Sequence, residues 1–143
     1  MGEPFIGSEA VANGDVSASK LRSSYTSLFR DVYVAEGVEL TPAARAKAGW
    51  LWSRRRGIVA GFTASAVHGA KWVDADRGVE LIHDNRHRLP DLVIHGDAIA
   101  DDEIARIDGV PVTLPARTAF DLACWYPVAV SVPAIDALCA RLI

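Results

Sequence analysis

The stretch VTLPARTAFDLA, residues 112–123, holds Thr113, Arg117 and Asp121 at intervals of four. On a helix Arg117 and Asp121 share a face and can pair across one turn. That geometry serves a structural ion pair as well as a site. Pro115 supplies a helix-opening φ angle just after Thr113, whose hydroxyl is placed to receive N–H groups that the first turn leaves unpaired. The motif is thereby explained without a substrate, and Arg117 and Asp121 are assigned to structure. In GFTASAVHGAKW a short helix capped by Thr63 and stopped by Gly69 would bring Ser65 and His68 three residues apart, the spacing of a nucleophile and its base. No acidic residue orients that imidazole and no strand–Gly-x-Ser-x-Gly elbow presents the serine, so His68 reads as a packing residue. His83, Asp84, His87 and Asp91 lie in a loop between two strands, where a His spacing of four has no metal-binding geometry. No catalytic residue, metal or cofactor is assigned. The acidic string Asp101-Asp102-Glu103 reads as a solvated turn.

A second chemistry is phosphate contact. Residues 1–56 hold eight basic side chains against six acidic ones, and the rest of the 143-residue chain holds seven against twelve. The excess in the first third is small, so affinity for a polyanion should be weak and salt-sensitive. In GSEAVANGDVSASKLRSSYTSLFRDVYVAEG, Ser8 is placed to cap a first helix and Asn13-Gly14 to end it. Ser17 is placed to cap a second helix running to about Ser24. LFRDVYVA then reads as a strand. Helix, turn, helix and strand in about thirty residues outline a reduced winged helix. Its second helix presents Ser17, Ser19, Lys20, Arg22, Ser23 and Ser24 with Leu21 turned inward; hydroxyls among cations suit phosphate and groove contact, and equally suit a polar surface helix. Arg30 belongs to the same set of phosphate candidates.

The elements that position these groups follow from local pattern. Thr41 and Pro42 open a helix, TPAARAKAGWLWSRRRG, closed by Gly57, that packs through Ala43, Ala46, Trp50 and Leu51. Arg54, Arg55 and Arg56 crowd its C-terminus, where they either answer the helix dipole or bind phosphate. GVELIH, DLVIHG, DEIARI and VPVT read as short strands, the last two joined by an Asp108-Gly109 hairpin turn. Pro133 is read as the start of a final helix with an Ile135, Leu138, Leu142 stripe. That helix stops without a cap or polar tail, which suggests a shortened chain, self-association, or a partner that supplies the missing contacts. Half of the residues are apolar and mean hydropathy is +0.16, so a real core is expected. The apolar text near the end is broken by Asp121, Pro127 and Pro133, and no membrane span is expected. Cys124 and Cys139 read as reduced core or near-core thiols of a cytoplasmic protein.

FIGSEAVANGDVSASKLRSSYTSLFRDVYVAEG, WLWSRRRGIVAGFTASAVHGAKW and GVPVTLPARTAFDLA together resemble actinobacterial proteins related to the AbiEi-type antitoxins of type IV toxin–antitoxin systems. The resemblance runs over nearly all of the chain, and ASAVHG with VTLPARTAFDLA is its most specific part. It implies an α+β protein: an abbreviated N-terminal winged helix at residues 1–37 that binds promoter DNA, then a small mixed α/β module with antiparallel strands at 38–143, truncated relative to longer relatives. It further implies noncatalytic repression of its own operon. The alternatives are a protein-interaction module neutralising a nucleotidyltransferase-type toxin, or a remnant of a two-domain endonuclease-like protein. Many relatives append a domain resembling very short patch repair endonucleases, whose acidic motifs would lie beyond residue 143, so hydrolysis is not carried over. The implied DNA contacts are Lys20, Arg22 and Arg30, positioned by Ser17, Ser19 and Ser23, with Arg54, Arg55 and Arg56 adding charge. Asp31 stands where relatives commonly have glycine, an acidic group beside the wing that would repel phosphate.

Overall fold

The computed structural model describes residues 2–74, 76–84 and 89–142. The chain opens with a two-residue strand β1 (Phe5–Ile6), two short helices α1 (Gly7–Ala12) and α2 (Ala18–Ser24), and a hairpin of β2 (Tyr25–Phe29) and β3 (Val32–Ala35). These strands make an antiparallel sheet in the order β1-β3-β2. The single strand expected over LFRDVYVA is in fact a hairpin, because Arg30-Asp31 turns the chain with Asp31 at φ 63°. That left-handed angle is where glycine is most at ease and where Asp is among the tolerated residues. Ser17 caps α2 as expected, its hydroxyl accepting the Lys20 N–H at 3.1 Å. Ser8 does not cap α1. Asp31 does so from across the module, its backbone oxygen accepting the Gly7 N–H and its Oδ1 the Ser8 N–H, both at 2.9 Å.

Helix α3 (Pro42–Trp52) is capped by the Thr41 hydroxyl, which accepts the Ala44 N–H at 3.1 Å. It ends five residues before Gly57, because Arg54 and Arg55 both take left-handed angles, φ 59° and 65°. Ala46, Ala48, Gly49 and Leu51 are its buried face. This helix joins the two halves: it packs on the N-terminal strands and on a second sheet. Gly49 lets it approach closely, since a Cβ there would stand 2.5 Å from Val79 Cγ1.

The second sheet has five strands: β4 (Ile58–Val59), β5 (Val79–Ile82), β6 (Leu92–His95), β7 (Ile104–Ile107) and β8 (Val110–Thr113), in the order β6-β5-β4-β8-β7. The β5–β6 and β4–β8 pairs are parallel and the β4–β5 and β7–β8 pairs antiparallel. The Asp108-Gly109 turn stands as read, with φ 52° and 81°. β4 escapes local reading because two residues carry no alternation, yet it is the centre of the sheet and Val59 is wholly buried. Val59, Leu81 and Val112 form the heart of the core with Val79, Leu92 and Val110.

Three helices complete the fold: α4 (Gly61–Val67), α5 (Pro115–Trp125) and α6 (Val128–Leu142). α4 packs on α3, β5 and α5, and α6 packs on α5. The fold is thus α+β. α6 starts at Val128, five residues before the expected Pro133, which lies inside the helix. Of the expected stripe Leu138 is buried, whereas Leu142 is 54% exposed. Cys124 and Cys139 are exposed free thiols, not core ones, because the inward faces are set by Thr118, Asp121 and Leu122 on α5 and by Ser131 and Leu138 on α6. No helix among the described residues is long and apolar enough to cross a membrane.

Gly61 begins α4 at φ 56°, and a Cβ there would stand 2.6 Å from Glu80 Oε1. Gly61→Ala therefore combines backbone strain with displacement of a buried carboxylate. The expected loss is about 1–3 kcal/mol in urea-induced unfolding.

Candidate nucleic-acid interface

On α2 only Leu21 is buried; it packs with Ala10 and Val16 against Phe5, Tyr25 and Tyr33. With Leu21 inward, Lys20 and Arg22 stand about 100° to either side of it, on the two flanks of this seven-residue helix. Lys20 and Arg22 are exposed, as is Arg30 in the hairpin turn, and none of the three makes an ion pair among the described residues. The serines are less free. Ser17 is spent on the cap and lies 3.2 Å from the Ser19 hydroxyl, and Ser23 donates to the Lys20 carbonyl at 3.2 Å.

The arginine triplet is placed differently. Arg54 donates to Asp31 Oδ2 at 3.0 Å, Arg55 grips both oxygens of Glu9 at 2.8 Å, and Arg56 donates to Asp84 Oδ2 at 3.1 Å. Each of the three therefore meets a carboxylate. The consecutive left-handed residues aim Arg54 and Arg55 back at the N-terminal module, so helix-dipole stabilisation is not their arrangement. Asp31 is correspondingly no bare acid. Partial burial opposes its charge, but hydrogen bonds from Ser8 and Arg54 outweigh this and hold its carboxyl below the ordinary 3.8. Glu9 is lowered chiefly by its bond from Arg55.

The Thr113, Arg117 and Asp121 motif forms an internal brace. Arg117 Nε donates to Asp121 Oδ1 at 2.8 Å, and its other nitrogens reach Glu103 at 3.1 Å and the Ala98 carbonyl at 2.9 Å. Burial pushes the Asp121 carboxyl up, and Arg117 opposes this without cancelling it. Burial likewise works against the Arg117 charge, but Asp121 and Glu103 hold its pKa raised. Glu103, read as part of a solvated turn, sits in a 3-10 turn at Asp101–Glu103, its carboxylate shared between the Ala100 N–H and Arg117. Thr113 does not cap α5; its hydroxyl meets that of Thr118 at 2.6 Å. His68 Nε2 donates to the Thr113 carbonyl at 2.7 Å, while the Ser65 hydroxyl has no partner among the described residues, so the two are not hydrogen-bonded. Of the loop set, His83 is buried at the end of β5 and Asp91 is exposed before β6; His87 lies outside the described residues.

A further polar cluster was not singled out by pattern. Glu80 on β5 is 1% exposed, and its carboxylate accepts the Phe62 N–H at 2.8 Å, the Tyr126 hydroxyl at 2.8 Å and His95 Nε2 at 2.9 Å. It thereby caps α4, the role expected of Thr63, whose hydroxyl instead accepts the Glu80 N–H at 2.9 Å. His95 stacks on Trp125 with ring centroids 3.4 Å apart, and Trp125 Nε1 donates to Asp97 at 2.9 Å. Burial, then the Glu80 charge, pushes the Tyr126 hydroxyl above its ordinary pKa. The signal in the sequence was a lone carboxylate inside the apolar run Val79 to Ile82.

The chain matches no protein-family model and no curated protein.

Two outcomes follow. Arg117→Ala leaves Asp121 buried without its partner and should cost about 3–5 kcal/mol in chemical denaturation, much of it recovered by the paired replacement Arg117→Met with Asp121→Leu. For Asp31, a folded pKa below the ordinary value means its contribution is present above pH 3.8 and lost as pH falls through the lower folded value. Wild-type protein should therefore melt above Asp31→Asn at neutral pH, the gap closing in acid.

Proposed function

We propose that the chain is a noncatalytic, antitoxin-like regulator of transcription, acting in the cytoplasm. In this reading residues 1–37 form a winged-helix-like module that lays α2 against the phosphates of its own promoter. The observation that carries it is the contrast between two cationic sets. Lys20, Arg22 and Arg30 stand exposed with no ion pair among the described residues, whereas Arg54, Arg55 and Arg56 are each matched by a carboxylate. Unmatched cations on a helix anchored by one leucine are free to meet phosphate, and the serines around them hold the helix end in shape. Arg54 and Arg55 serve this interface indirectly, by neutralising Asp31 and Glu9 and seating the module on α3.

A second reading, a module that contacts a toxin protein, is favoured by the apolar exposure of α6, where Val128 is 75% and Val132 49% exposed. In this reading the face is adhesive, so the purified chain should associate with rising concentration in light scattering and Val128→Ser with Val132→Ser should abolish that; a clean monomer at every concentration argues against it.

The DNA reading is tested by mobility shift on a fragment of the protein's own promoter. A retarded complex is expected at low salt and should be lost in Lys20→Ala with Arg22→Ala. Contact with three phosphates gives log affinity against log salt a slope of about −2.7, reduced by about 1 for each cation removed. Absence of a shift at low salt, or a shift indifferent to the double substitution, refutes it.

A further inference from the structure

Between the loop after α4 and helix α6 lies a cleft of about 350 Å³, at the small end of the range for ligand sites. Phe62 on α4 and Val130, Pro133, Ala134 and Ala137 on α6 give it an apolar wall. Polar groups of one sign predominate at its edge. Lys71 and Arg77 line it, and neither makes an ion pair among the described residues. The Arg77 guanidinium is already positioned, lying 3.8 Å from the Phe62 ring centroid. Asp74 also lines the cleft, its Oδ1 accepting the Asp76 N–H at 2.8 Å, and its charge leaves the lining with a net of one positive.

Two further observations concern the same place. Ser65 borders the cleft, is 1% exposed, and its hydroxyl has no partner among the described residues. Buried hydroxyls are ordinarily satisfied, so this one marks an unspent polar group in the wall. At the rim Trp72 is 94% exposed and holds φ 69°. A bulky residue in the left-handed region is an outlier, and such strain gathers at ligand clamps and functional sites. An indole held out in water beside an apolar cleft can gain burial when the cleft is filled.

We propose that this cleft binds a small amphiphilic anion, an aromatic or aliphatic body carrying one carboxylate or sulfonate head. The body lies against Val130, Pro133 and Ala134, the head meets Lys71 and Arg77, and the Trp72 indole covers the exposed side. The site is independent of the DNA reading and needs neither Lys20 nor Arg22.

Titration of the full chain with 8-anilinonaphthalene-1-sulfonate, beside the uncharged N-phenyl-1-naphthylamine, tests it. The anionic dye should bind saturably with one site per chain, be displaced by decanoate, and blue-shift a tryptophan emission that Trp72→Phe removes. Lys71→Gln with Arg77→Gln should weaken the anionic dye about tenfold while changing the neutral one by about twofold or less. Because Arg77 also packs on Phe62, Lys71→Glu alone provides a second variant, with its fold monitored by circular dichroism and an expected weakening of about fivefold. Ala134→Trp should block both dyes. Binding that does not saturate, that survives Ala134→Trp, or that falls equally for both dyes in the lysine variants overturns the proposal. So does displacement of the dye by an acidic peptide but not by decanoate.

Discussion

The arrangement of the helices around the larger sheet depends on a single buried carboxylate. A charge as sheltered as that of Glu80 is tolerable only if donors replace the water it has lost, and here they come from three separate elements. Phe62 brings the start of α4, His95 brings the end of β6, and Tyr126 brings the link between α5 and α6. A left-handed glycine at position 61 follows from this, because any side chain there would occupy the volume of the carboxylate. Arg77 lies over the Phe62 ring and near that of Tyr126, adding a cation beside the same network.

The N-terminal module is attached by a different device. Apolar contact supplies part of it: Ile6 and Val32 meet Ala48 and Leu51 of α3. Charge supplies the direction. Two left-handed arginines after α3 turn back to Asp31 and Glu9, and Asp31 in turn fastens the first turn of α1. The partly exposed geometry makes each ion pair individually modest, but the bidentate Arg55 and the doubly used Asp31 fix orientation as well as proximity. The acidic group at the hairpin tip therefore brings its own countercharge.

These two devices divide the polar residues of the chain by task. Arg117, Asp121 and Glu103 brace α5 against the preceding segment, and Glu80 with its donors braces the layer beneath α4. Outside these devices Lys20, Arg22 and Arg30 stand exposed on α2 and its hairpin with no ion pair among the described residues, as Arg106 and Arg141 do elsewhere on the surface, while Lys71 and the half-buried Arg77 line the cleft beside α6.

Features governed by near neighbours were legible in the sequence. The Ser17 and Thr41 caps, the Asn13-Gly14 and Gly69 stops, the Asp108-Gly109 hairpin and the Arg117–Asp121 pair each arise within a few residues, where φ preference and side-chain reach decide the outcome. Strands β1 and β4 were not legible, since two residues cannot show a period, and neither were the caps supplied by Asp31 and Glu80. Pro133 and the cysteines were misread because helix start and facing depend on what the helix packs against. The sequence by itself determined the class of fold, the principal helices and the local stops. Tertiary structure alone decided which donors meet Glu80, Asp31 and Glu9, because those partners lie 15 to 46 residues apart and meet only when the fold has brought them together.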